Sequence, residues 1–205
     1  MSGSITPEQQ QKETLRIETF SDGVFCIAVT LLSLEAGVHL KNEVSNKSLA
    51  GALFDEWPVY LSYVISFVNV LLAWIGHHSL FKLFMKPDNS IMITNGILLM
   101  LVALVPFPAK TLGKFLDTAA FQTAVIFYTG YFVLISLAFR LLWYAASKKR
   151  DNLVPGITDR QIRITTRNEN TGLVCNTIIL GLAFVQPWLA LACSFAMWIY
   201  WTVFS

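Results

Sequence analysis

The chain has 205 residues, of which 55% are hydrophobic and only 14% charged, with a mean hydropathy of +0.56. A soluble domain carries about 25% charged residues and is about 45–50% apolar, so this composition excludes a single water-facing core and fits a chain whose outer surface faces lipid. The net charge of +2 is small and no basic run interleaves with aromatics, which argues against nucleic-acid binding.

Residues 1–15 are polar and lack the apolar centre of a secretory signal, so the first apolar run reads as a retained helix. A spanning helix needs about 20 mostly apolar residues. Six segments are predicted to qualify: 15–38, 58–81, 91–112, 120–146, 171–185 and 188–204. Together they form one all-α membrane domain over residues 1–205. The link 39–57 is polar, with room for a short interfacial helix. Lys86-Pro87-Asp88-Asn89 marks a turn, and Pro106 and Pro108 bend or end the third helix. Residues 147–170 read as the longest and most basic loop. A single helix from Thr171 to Phe204 would run about 50 Å at about 1.5 Å per residue, too long for a hydrocarbon core of about 30 Å. Gln186-Pro187 in its middle therefore predicts a helical hairpin.

Lysine and arginine sort by side. Lys12, Arg16, Lys82, Lys86, Lys148, Lys149, Arg150, Arg160, Arg163 and Arg167 fall on one side, and Lys41, Lys47, Lys110 and Lys114 on the other. Because positive loops stay in the cytoplasm, both termini are expected there, with an even number of spans. No internal repeat is visible. Cys26, Cys175 and Cys193 all lie in apolar runs, and their spacing matches no metal or redox motif.

Asp22 is the anomaly of the first helix. A carboxylate at the centre of a spanning helix costs about 2.5–3.5 kcal/mol on insertion scales, so it normally meets protein or water. Its expected partners are His77 and His78 on the second helix, Asn95 on the third, and Arg16 one to two turns before it. Adjacent His77 and His78 diverge by about 100° on a helix, so no shared metal is expected. Ile27, Leu31 and Leu34 recur at helical spacing on one face, a pattern that ordinary helix packing also produces. Thr30 lies beside that stripe, where a threonine commonly bonds back to its own helix. Thr129-Gly130-Tyr131 sits inside a continuous apolar run and lacks the re-entrant loop of a potassium-channel filter.

The string Arg16-x-x-x-Phe20-Ser21-Asp22-Gly23, followed by an apolar run through Thr30 and Leu34, resembles the first-helix signature of the lysosomal potassium channel family, transmembrane protein one-seven-five. The likeness is closest to its bacterial and archaeal branch, and Trp74-x-x-His77 on the second helix matches as well. The resemblance implies a homotetramer whose first helices line a central pore. Ile27, Leu31 and Leu34 would form the constriction, Thr30 a selectivity layer and Glu35 the pore mouth. Phe20, Ser21 and Asp22 would lie inside the bundle, joined to Arg16, Trp74, His77 and Asn95. The implied function is a cation channel of weak to moderate potassium preference, without a TVGYG filter and with proton permeation as a further property. It would sit in the cell membrane of a prokaryote, with itself, the bilayer and monovalent cations as partners. No cofactor is implied beyond the permeant potassium ion. A secondary transporter or proton-coupled carrier is the competing reading, against which the chain shows no inverted repeat or paired broken helices. An enzyme finds no nucleophile motif or cofactor fingerprint.

Overall fold

The computed structural model describes residues 7–35 and 46–204, and its regular elements are all helical. In chain order they are α1 (Pro7–Glu35), α2 (Asn46–Asp55), α3 (Trp57–Phe81), α4 (Asn89–Ala103), α5 (Pro106–Phe115), α6 (Phe121–Ser147), α7 (Asp159–Ala183) and α8 (Pro187–Phe204). Among the described residues, four stretches are long and apolar enough to cross a membrane: Gln11–Leu34, Trp57–Phe81, Asn89–Phe115 and Phe121–Ser147. A shorter apolar stretch, Pro187–Met197, lies within α8.

Three boundaries differ from the sequence reading, each for a physical reason. First, α1 begins at Pro7, because proline suits the first helical position and the Glu, Gln and Lys residues that follow are good helix formers. Polarity marks where lipid ends, not where the helix does. The segment expected to follow Glu35 lies outside the described residues. Second, the third predicted helix is two. Leu104 and Val105 donate to Leu101 and Val102 in tight turns, and Pro106 starts α5. The Tyr131 hydroxyl donates to the Leu101 carbonyl at 2.7 Å, bracing the break from α6. Third, half of the predicted 147–170 loop is helix. Thr158 and Gln161 form a reciprocal capping box that starts α7 at Asp159.

The helices pack as a chain of neighbours. α1 packs on α3, α4 and α5; α6 packs on α4, α5, α7 and α8. The interior is dominated by Trp143, Tyr128, Phe81, Leu98, Leu112 and Leu142, all fully buried. α5 approaches α3 at Gly113, where an added Cβ would stand 3.3 Å from both the Ser62 Cβ and the Val59 Cα.

The two ends of the bundle are chemically distinct. At one end, Trp57 and Trp188 stack with centroids 6.3 Å apart, and Phe121 meets Trp188 at 4.6 Å. These residues lie in the first turns of α3, α8 and α6. Gln122 Nε2 donates to the Phe184 carbonyl at 2.6 Å, covering the end of α7. At the other end, Asp88 ties three segments together. Its Oδ1 accepts from the Ile91 amide at 3.1 Å, capping α4. Its Oδ2 accepts from Lys149 Nζ at 2.8 Å and Asn152 Nδ2 at 3.3 Å, in the α6–α7 connection. The Lys149 ammonium, with the Ile91 amide and Asn152, holds the Asp88 carboxyl down at about 2. Val154 donates to the Leu83 carbonyl beside it, and Thr14 Oγ1 donates to the Met85 carbonyl at 3.0 Å, fastening α1 to the same end.

Candidate functional site

The first helix has two faces. Thr14, Ser21, Phe25, Ala28 and Leu32 recur at sevens, threes and fours, and all are buried against α3, α4 and α5. On the other side, Arg16, Phe20, Gly23, Ile27, Thr30 and Leu34 alternate at spacings of four and three and are all exposed in the subunit. At about 100° per residue both sets are continuous stripes. Ile27 is 58% exposed and Leu34 74%, so this stripe is not sealed within the protomer. Leu31 flanks it, and Glu35 ends the helix.

The buried face carries the polar residues that fix α1. His77, fully buried on α3, meets Asn95 Oδ1 through Nε2 at 2.9 Å. Asn95 Nδ2 donates to Ser21 Oγ at 3.0 Å, and Ser21 Oγ donates to the Ile17 carbonyl at 2.8 Å. This order sets the directions. The Asn95 carbonyl oxygen faces the imidazole, so Nε2 carries the proton and donates. His77 Nδ1 is then a bare lone pair, and it has no hydrogen-bond partner among the described residues. The ring is held between Phe81, stacked at 4.3 Å, and Phe25, tilted at 5.3 Å. A buried polar chain linking three helices stabilises one mutual arrangement, because sliding any helix leaves a donor unpaired.

Asp22 lies half-buried on the flank of α1, between the two faces. Its Oδ1 accepts from Trp74 Nε1 at 2.8 Å. One turn earlier on the same flank, Glu18 Oε1 pairs with His78 Nδ1 at 2.7 Å. Trp74 and His78 stack nearly parallel, with centroids 5.9 Å apart, so α3 presents two adjacent donors to two carboxylates of α1.

The structure joins Ser21, Asn95 and His77 in one chain and pairs Asp22 with Trp74 beside it; His77, His78 and Asn95, expected as partners of Asp22, bond elsewhere. It does not bring in two residues expected with them. Phe20 is 67% exposed and lies on the outward stripe, not inside the subunit. It sits one residue before Ser21, and a step of about 100° carries it off the buried face. Arg16 is exposed and forms no ion pair or hydrogen bond among the described residues, six positions and nearly two turns from Asp22. Glu18 was missed as the partner of His78. Its four-residue offset from Asp22 was the available signal, since carboxylates so spaced share a helix flank. The Thr30 hydroxyl donates to the Ile27 carbonyl at 2.9 Å, leaving its oxygen lone pairs on the exposed side.

Residues 16–106 match the family described as the endosomal/lysosomal potassium channel TMEM175. The chain is 36% identical to a potassium channel of Chamaesiphon minutus over 96% of this chain and 97% of that protein. It is 34% identical to a potassium channel of Streptomyces collinus over 88% of this chain and 87% of that one. The crystal structure of a lysosomal potassium-selective channel TMEM175 homolog from Chamaesiphon minutus superposes with a TM-score of 0.84 at 35% identity, covering 94% of this chain and 98% of that one.

Proposed function

The chain belongs to the TMEM175 family, a family of ion channels and not of enzymes, and from that premise we propose that it conducts potassium through a pore lined by α1. Four subunits surround one axis in this reading, each contributing six spans: α1, α3, α4 with α5, α6, α7 and α8. Both termini are cytoplasmic, because the Asp88 end of the bundle carries most of the lysine and arginine, and the membrane is that of a prokaryotic cell.

The observation that carries the proposal is the outward stripe of α1. A subunit that buries Ser21, Phe25, Ala28 and Leu32 presents Ile27, Thr30 and Leu34 to whatever lies beyond it. With four copies about an axis, Ile27, Leu31 and Leu34 make apolar rings, and narrow apolar rings gate by dewetting. An ion crossing such a ring sheds water, and potassium sheds it at lower cost than sodium, so a preference arises without a carbonyl cage. The four Thr30 oxygens, their protons committed to Ile27 carbonyls, supply acceptors just beyond the Ile27 ring. Glu35, at the helix end, concentrates cations at the mouth.

The test is reversal potentials of reconstituted protein in mixed potassium and sodium, with proton flux followed in the same vesicles. Ile27→Ala and Thr30→Ala are expected to reduce potassium preference. Selectivity unchanged in both variants contradicts the assignment.

A further inference from the structure

The outward side of α7 carries a groove of about 560 Å³ lined by Ile162, Arg163, Thr166, Arg167, Asn170, Thr171 and Val174. Four of its polar side chains have hydrogens to offer. Arg163 and Arg167, one turn apart, are exposed and form no ion pair among the described residues. Trp143 Nε1 donates to Thr166 Oγ1 at 2.8 Å, which occupies an acceptor position of that hydroxyl and leaves its hydrogen unspent. Arg140 Nε donates to Asn170 Oδ1 at 2.6 Å, which fixes the amide and leaves both Nδ2 hydrogens free. The nearby acid, Glu169, two residues from Arg167, does not line the groove and interacts electrostatically with Arg140 of α6. Residues two apart on a helix do not share a face.

Two guanidiniums, a hydroxyl hydrogen and an amide NH2, with no carboxylate among the lining residues, favour an anion rich in oxygen. A phosphate fits, since arginine binds its oxygens in a bidentate fork. Further along the same side the chemistry changes. Val174 and Ile178 are 55% and 58% exposed, and Ile178 stands about 16 Å from Arg167 along the axis at about 1.5 Å per residue. A free phosphate would satisfy the donors and leave this apolar strip uncovered. An amphiphile covers both. The donors lie toward the Asp88 end of the bundle, where basic residues of a membrane protein meet the anionic headgroups of the cytoplasmic leaflet. α7 also packs on α6 and α8 whereas α1 packs on α3, α4 and α5, so a tetramer built around α1 turns α7 toward lipid.

We propose that the α7 groove binds one anionic phospholipid per subunit, its phosphate between Arg163 and Arg167 and an acyl chain along Val174 and Ile178. The orientation rests on the six-span reading above, but lipid retention is read without any ion flux, so failure of one leaves the other standing.

The measurement is native mass spectrometry of the purified oligomer titrated with phosphatidylglycerol, with phosphatidylcholine and inorganic phosphate as separate arms. Retention of phosphatidylglycerol is expected to fall about fivefold for Arg163→Gln or Arg167→Gln and about thirtyfold for both. Arg160→Gln, whose side chain does not line the groove, should reduce retention less than either groove variant, and Arg163→Lys with Arg167→Lys should retain part of the binding by charge. Phosphatidylcholine should be retained weakly, and inorganic phosphate should not displace the lipid. Equal retention of both lipids, or unchanged retention in the double glutamine variant, overturns the proposal. Displacement by inorganic phosphate reduces the groove to a simple anion site and overturns it too. A double variant that loses subunits instead of lipid would assign the groove to a neighbouring copy.

Discussion

Asn95→Ala removes the central link of the buried chain from His77 to Ser21. Interhelical hydrogen bonds in membrane proteins average about 0.6 kcal/mol by double-mutant cycles, so the two lost bonds account for about 1 kcal/mol. The larger effect is what remains. The His77 Nε2–H stays buried with no acceptor, in a ring whose Nδ1 already lacks a partner. An orphaned buried donor costs about 1–3 kcal/mol. The total, about 2–4 kcal/mol, corresponds to a fall of about 4–16 °C in Tm for a chain of this size. Thermal unfolding of the detergent-purified protein, followed by tryptophan fluorescence and oligomer retention, measures it directly. The decisive comparison is His77→Phe with Asn95→Leu, which removes both polar partners and keeps an aromatic ring against Phe25 and Phe81. That double variant should be more stable than Asn95→Ala alone, because a jointly apolar replacement leaves no orphan. If Asn95→Ala melts with the parent protein, or if the double variant melts well below it, the buried chain does not hold the helices as argued.

Asp22→Ala frees the Trp74 indole N–H and is expected to reduce the yield of intact oligomer while the selectivity of the surviving channels stays unchanged; gel filtration beside reversal potentials separates the two. Gly113→Val drives a branched side chain into Ser62 and Val59 of α3 and should cost about 1–3 kcal/mol, read as a lower Tm. Asp88→Ala removes the α4 cap and the Lys149 tie together, and the cap alone is worth about 1 kcal/mol; limited proteolysis of the α6–α7 connection should accelerate. The Asp88 carboxyl titrates at about 2, below its ordinary 3.8, so its contribution is full above about pH 4 and is lost as the pH falls toward 2. The parent protein should show that acid loss of stability and Asp88→Ala should show less of it.

The anchor of α1 was legible in the sequence because a carboxylate, a serine and two histidines in apolar helices are out of place one residue at a time. Asp22 needed a partner, but the expected His77, His78 and Asn95 bond elsewhere, and its donor is Trp74, which only the family resemblance had placed in the group. The outward position of Phe20 was not read there, although a helical wheel through Ser21 places the two on different faces. The early start of α7 was hidden because its first half is polar, and hydropathy reports lipid contact, not helix. A capping box at Thr158 and Gln161 was present in the sequence, but it competed with Pro155-Gly156 just upstream, which reads as loop. The Asp88 junction could not be found from pattern at all. It joins residues some sixty positions apart, and long-range pairing of polar groups leaves no periodic trace.

The central claim is that ions pass along the outward stripe of α1. The direct measurement is block of potassium flux by silver ions in protein with Cys26, Cys175 and Cys193 replaced by serine and one cysteine returned at Ile27 or, as a control off the α1 stripe, at the exposed Phe127 of α6. Silver is expected to abolish flux through Ile27→Cys and to leave Phe127→Cys conducting. Flux through Ile27→Cys that silver does not touch contradicts it.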